Sequence, residues 1–238
     1  MDVSINIIYD NSRLEELAEC LRLLPKDCEF VLVDTEPLEV PQGLEQYLNP
    51  ELTERTEIID NKDNRIIAKY YYKKPFPYGR VRNYAKSLST RSWIFSIDTD
   101  ELFNPMQEYM LRDLNKLKPE ITGVAIYIFS WLRGLIKEDN FTRFETTRAI
   151  RIFRNIPEIK WTENPVHESV QDSITGCTDI GLLLIHEGYN IPKESMIAKM
   201  TQRIDSILEN SDCLRKKYMR DYLIRECNTL EMYEGSNI

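Results

Sequence analysis

The chain has 238 residues, 42% of them hydrophobic and 29% charged, with a formal net charge of -8 and a pI of about 5.0. That is an ordinary balance for a soluble globular chain with a sizeable core, and the acidity argues against a broad phosphate-backbone surface for nucleic acid without excluding one local basic groove. No apolar run is long enough to span a bilayer, Met1-Asp2-Val3-Ser4 lacks the layout of a secretory signal, and the scattered Cys20, Cys28, Cys177, Cys213 and Cys227 read as reduced thiols of a cytoplasmic protein.

Ile5 to Tyr9 reads as a buried strand, and Ser12-Arg13-Leu14-Glu15 carries a capping-box pattern. Leu14, Leu17, Ala18, Leu21 and Leu24 follow at helical spacing until Pro25. Phe30 to Val33 is a second strand that ends at Asp34, so the chain opens as β-α-β, the unit of a parallel sheet. Residues 35–55, with three prolines, read as irregular. Thr56 to Ile59 and Arg65 to Tyr72 are strand candidates. Val81, Tyr84, Ala85 and Leu88 mark a helix whose apolar face leaves Arg82 and Asn83 off the core. Trp93 to Ile97 is an apolar strand. Asn104 and Pro105 begin a helix with Met106, Met110, Leu114 and Leu117 as its stripe. Past Gly123, Val124 to Phe129, Ala149 to Phe153 and Leu182 to Ile185 read as strands of a mixed or antiparallel extension. The polar loop over 132–145 has the length of a mobile functional loop. From about Pro192 the chain reads as two helices broken near Asn210-Ser211-Asp212.

Asp98-Thr99-Asp100-Glu101 stands directly behind the apolar run Trp93 to Ile97. Asp98 and Asp100 are two residues apart and point the same way in extended backbone. Such a pair can grip one divalent cation that also touches phosphate oxygens. The plainer reading of an isolated D-x-D is a solvated acidic turn that caps the next helix. Arg80, Arg82 and Asn83 open a helix just after Gly79, and helix N-termini and arginines both favour anions.

The stretch Phe76-Pro77-Tyr78-Gly79-Arg80-Val81-Arg82-Asn83-Tyr84-Ala85, followed by Trp93 to Glu101, resembles family 2 glycosyltransferases, most closely their small bacterial and phage branch. The resemblance continues in Arg151-Ile152-Phe153-Arg154, Val166-His167-Glu168 and Ile185-His186-Glu187-Gly188-Tyr189, then Lys199 and Arg203. It implies an α/β GT-A fold: a Rossmann-like mixed sheet with flanking helices and a C-terminal helical extension. The expected division is a glycosyltransferase domain over 1–190, its nucleotide-sugar half at 1–101 and acceptor half at 102–190, with the extension at 191–238. It implies a metal-dependent inverting transfer from a nucleoside-diphosphate sugar, UDP-sugar first, with Mn2+ or Mg2+.

By the same resemblance Asp100 ligates the metal, and Asp98 contacts the ribose or the metal shell. His186 closes over the diphosphate or completes that shell. Asp34 meets the nucleobase or ribose, although Asp34-Thr35-Glu36-Pro37 departs from the family's Ser-x-Asp-Gly-Thr-like turn. Arg80, Arg82 and Asn83 fall on the donor side, Arg82 as the donor contact. Glu168 is the candidate general base, with His167 orienting it or touching substrate. Lys199 and Arg203, four apart, either bind donor phosphates or form a solvated basic edge. Trp131 is a candidate to stack on a sugar ring, whereas Trp93 and Trp161 read as core.

A nucleotidyltransferase of sugar activation is the alternative enzyme. It usually needs a Gly-rich loop after the first strand, where this chain has Tyr9-Asp10-Asn11-Ser12. A non-catalytic sugar-binding module of the same fold is the third reading. The acceptor stays open among a glycan, a lipid-linked sugar, a peptide and a modified nucleic acid, and the C-terminal helices suit an acceptor site or a homodimer interface equally.

Overall fold

The apolar segments of the first hundred residues become the strands of one sheet because both faces of that sheet are covered, which suits near-continuous Val, Ile and Phe runs. A computed structural model describes residues 1–38, 54–72, 76–132, 143–163, 168–187 and 201. Its elements are β1 (Val3–Tyr9), a 3-10 turn (Asn11–Arg13), α1 (Leu14–Leu23), β2 (Glu29–Pro37), β3 (Glu54–Lys62), β4 (Arg65–Tyr72), α2 (Tyr78–Leu88), β5 (Trp93–Asp98), β6 (Glu101–Phe103), α3 (Glu108–Arg112) between two 3-10 turns, β7 (Gly123–Leu132), β8 (Arg143–Arg154) and β9 (Cys177–His186).

The nine strands form one mixed sheet in the order β3-β4-β2-β1-β5-β8-β7-β9-β6. β4, β2, β1 and β5 run parallel, and β8 pairs antiparallel with both β5 and β7. The expected α/β class, with a Rossmann-like mixed sheet and flanking helices, is what the chain adopts. β1 lies between β2 and β5, so successive parallel strands leave it in opposite directions. Such a topological switch point opens a crevice at the strands' carboxyl ends, where α/β proteins bind ligands.

One core face packs Ile5, Ile7, Trp93, Phe95 and Ile97 against Leu17 and Cys20 of α1 and Leu111 and Leu114. The other face packs Val31, Val33 and Ile66 against Val81 and Ala85 of α2. Ile94, Phe153, Ile159, Trp161 and Val170 form a third cluster. Trp93 and Trp161 are core, as expected.

Several boundaries differ from the expectation for identifiable reasons. Ser12 does not cap α1; Asp10 caps the preceding 3-10 turn, its Oδ1 accepting from Ser12 N at 2.8 Å. β2 runs on through Pro37, because β4 supplies partners as far as Tyr72. β3 and β4 form a hairpin through Asp63 and Asn64, both in the left-handed region that this turn requires. The helix after Asn104 is broken into 3-10 and α turns, and Met106 is exposed rather than part of a buried stripe. β8 begins at Arg143, inside the stretch expected to be loop, because β7 pairs with it as far as Leu132. The rest of that loop and the two C-terminal helices fall outside the described residues.

Cys20, Cys28 and Cys177 are free thiols. Among the described residues no helix is long and apolar enough to cross a membrane.

Candidate active site

Strand parity sets up the site. Ile94, Ser96 and Asp98 share one face of β5, the face covered by α2. Arg82, expected off the core, instead points from α2 into the sheet and is buried. Its Nη1 donates to Ser96 Oγ at 2.9 Å and its Nη2 to Asp98 Oδ1 at 2.7 Å. Its Nε donates to Glu168 Oε1 at 2.5 Å, and the guanidinium lies over the Trp161 ring. One side chain thereby ties the end of β5 to the carboxylate of Glu168, 86 residues beyond Arg82 itself.

Arg151 of β8, largely but not fully covered, supplies the second cation. Its Nη2 reaches Asp98 Oδ2 at 2.9 Å and Glu101 Oε1 at 2.7 Å. Glu101 Oε2 accepts from the Asp98 backbone N–H at 2.9 Å, so this side chain folds back onto the strand end. Burial pushes the Asp98 carboxyl up, but Arg82 and Arg151 outweigh it and hold the group well below the usual carboxylate range. Glu101 goes the other way: burial, helped by the charge of Asp98 and opposed by Arg151, pushes it up to about 7. Burial disfavours the charge on Arg82, yet Asp98 and Glu168 keep it more firmly protonated than a free arginine.

The expected extended geometry over 98–100 is not observed. β5 ends at Asp98, and residues 99–100 turn. The two aspartates therefore face different partners. Both Asp98 oxygens accept from arginines, so the protein itself neutralises that carboxylate. Asp100 meets His186 instead, with Oδ1 at 3.5 Å from Nε2, and Arg13, with Oδ2 at 3.3 Å from Nη1. His186 reaches this place because β9 pairs with β6, Glu101 opposite His186. Ser130 Oγ lies 3.2 Å from His186 Nδ1 and turns Nε2 toward Asp100. Among the described residues no group of three or more His, Cys, Asp or Glu is arranged to hold a metal ion. The Asp100 and His186 pair is a two-donor oxygen and nitrogen set, which suits an ion that takes its remaining ligands from phosphate and water.

Asp34 ends the same crevice on β2. It is buried, and its Oδ1 has no hydrogen-bond partner among the described residues. Burial raises its pKa, with Lys69, whose Nζ is 3.7 Å from Oδ2, pulling the other way. Asp34 is opposite Tyr9 and Asp98 is opposite Ile8 across β1, so the two carboxylates stand at the same end of the sheet on opposite faces of their strands.

The other donor-side candidates have structural partners. Arg80 is half-exposed and pairs with Glu54 at 2.7 Å. Asn83 clamps the Trp161 backbone, donating to its carbonyl at 3.0 Å and accepting from its N–H at 2.9 Å. Gly79 permits this docking, because a Cβ there would lie 2.0 Å from the Thr162 carbonyl oxygen. His167, Lys199 and Arg203 fall outside the described residues, as does the side chain of Trp131.

Arg13, Arg151, Ser96 and Ser130 join the site without having been expected there. Arg151 stands in one of the motifs, but nothing in its spacing announces an ion pair to β5. Along the chain Arg13 reads only as part of a cap.

No family model matches the chain, and no curated protein matches it. Among solved structures it is similar to S. aureus TarS 1-349 in complex with UDP, at 14% identity over 89% of this chain and 67% of that one, with a TM-score of 0.49. It is similar also to the mannosyltransferase PcManGT from Pyrobaculum calidifontis in complex with GDP-Man and Mn2+, at 11% identity over 98% and 73% of the two chains and a TM-score of 0.45. A third is described as a glucose-1-phosphate thymidylyltransferase from Bacillus anthracis, at 11% identity over 76% and 88% and a TM-score of 0.37. The activities in these names differ, so what this chain does has to be sought in its own side chains.

Proposed function

We propose that this chain is a GT-A glycosyltransferase that moves a sugar from a nucleoside-diphosphate sugar, UDP-sugar first, to an acceptor hydroxyl or other nucleophile with inversion. The observation that carries the reading is a two-part grip at one switch-point crevice. The buried Asp34 Oδ1, without a hydrogen-bond partner among the described residues, suits a nucleobase N–H or ribose hydroxyl. Just past the end of β5, the Asp100 and His186 pair suits a cation on the diphosphate. The resemblance in the sequence motifs points the same way. Residues 1–101 then hold the donor and 102–190 the acceptor.

In this reading Glu168 is the base. Arg82 holds its Oε1 and so aims the carboxylate. The acceptor proton passes to Glu168 as the new bond to the anomeric carbon forms, and the bond to the diphosphate breaks with its electron pair leaving on phosphate oxygen. Asp98 positions rather than ligates, locking Arg82 and Arg151 in place. A Mn2+ or Mg2+ held by Asp100 and His186 supplies positive charge to the departing diphosphate.

The test is calorimetry with UDP-sugars and GDP-sugars, with and without Mn2+, followed by donor hydrolysis. Asp100→Ala is expected to lower turnover at least about a hundredfold while the protein stays folded. Absence of binding by every nucleotide sugar, with or without metal, sinks the proposal.

A further inference from the structure

Among the described residues three arginines meet the acids of the crevice, and one differs from the others. Arg82 is buried, Arg151 is only 16% exposed, and each bridges two carboxylates. Arg13 is 40% exposed, and its guanidinium reaches the nearly buried Asp100 at 3.3 Å. Its backbone is fixed: the Asp10 cap accepts from Ser12 N, and Arg13 N donates to the Asp10 carbonyl at 3.0 Å. The turn follows β1 directly, at the switch point, so the side chain swings from an anchored root on the same lip of the crevice as the end of β5.

We propose that Arg13 is a displaceable counterion: it occupies Asp100 Oδ2 in the ligand-free protein and transfers to the diphosphate when cation and nucleotide bind together. The inference rests on Asp100 as a cation ligand, as proposed above. A divalent cation on the Asp100 oxygen that faces His186 sets a like charge beside the Arg13 guanidinium, so a cation arriving alone weakens the Arg13 pair without compensation. A cation arriving with a nucleoside diphosphate releases Arg13 to charges that it can pair with. A half-exposed ion pair is weak enough to exchange in this way, whereas the buried Arg82 and largely covered Arg151 pairs are not. Binding of the two ligands is then mutually reinforcing, by linkage.

The experiment measures Mn2+ affinity from the free-ion paramagnetic resonance signal and UDP affinity by calorimetry, on the full chain and on Arg13→Ala, with Arg13→Lys as a charge-retaining control. Thermal melts check folding. Arg13→Ala is expected to bind Mn2+ alone about fivefold more tightly, the exchange worth of a surface ion pair. The same variant is expected to bind UDP more weakly at saturating Mn2+, and Arg13→Lys is expected to restore part of both. Mn2+ binding to Arg13→Ala no tighter than to the unaltered protein overturns the counterion role. If the unaltered protein binds no Mn2+ even with UDP present, the cation reading of Asp100 fails and Arg13 falls with it. A Mn2+ site that persists in Asp100→Asn overturns both in the same way.

Discussion

The two ends of the parallel strands handle buried acid in opposite ways. At the amino end Glu29 is buried and accepts from Ser4 Oγ at 2.5 Å, Thr90 N–H at 2.8 Å and Thr90 Oγ1 at 2.5 Å. These donors are neutral, and they stitch β1, β2 and the turn before β5 together. At the carboxyl end Asp98, Glu101 and Glu168 are held by the buried Arg82 and the largely covered Arg151. Neutral hydrogen bonds fix a carboxylate within the fold. An arginine network also moves protonation equilibria in opposite directions, down at Asp98 and up at Glu101. Buried charge that is expensive to keep, yet tuned residue by residue, is the pattern of a functional site.

Removing Arg82 should break the contrast most strongly. Arg82→Ala leaves Asp98 with one cation and Glu168 without its Nε partner, an expected loss of about 3–5 kcal/mol in urea unfolding. Gly79→Ala comes next. Its Cβ would collide with the Thr162 carbonyl, pushing away the segment that carries Trp161 and leads to Glu168. The expected cost is about 1–3 kcal/mol, with donor hydrolysis falling more than donor binding. Glu29→Gln keeps the shape and loses only charge-assisted hydrogen bonds, about 1 kcal/mol; a cost above that of Arg82→Ala would erase the distinction between the two ends.

The smallest effect is in pH dependence. Glu101 is raised from 4.5 to about 7, so its contribution to stability is fully present below 4.5 and is lost as pH rises through about 7. Asp98 is lowered, so its contribution is present above 3.8 and is lost as pH falls below that. Of the two, only Glu101 changes between 4.5 and 7. Glu101→Gln should therefore gain stability relative to the unaltered protein as pH goes from 5 to 8. Urea midpoints that move the opposite way would show that Arg151, not burial, governs Glu101.

Much of this was legible in the chain, and the limits follow from physics. β1 and β5 could be read because a strand buried on both faces must be apolar along its length. The Asp98-to-Glu101 stretch could be read because carboxylates directly behind such a strand are unusual. The direction of Arg82 could not, because helical periodicity places an arginine off the apolar face, whereas Ser96 and Asp98 offer it partners only once β5 lies beneath α2. Asn83 matches a motif, yet its amide clamps the Trp161 backbone 78 residues away. Asp98 and Asp100 depart from the expected parallel pair for a local reason: the strand ends at Asp98, too early to keep them on one face.

The sequence alone determined the opening β-α-β unit, the apolar strands, and which acids stand at their carboxyl ends, because those depend on periodicity and on neighbours along the chain. The tertiary structure decided which partner each acid meets. Arg13, Arg82, Arg151 and His186 come from four separate elements, and ion pairing depends on distances that only the sheet order and register fix.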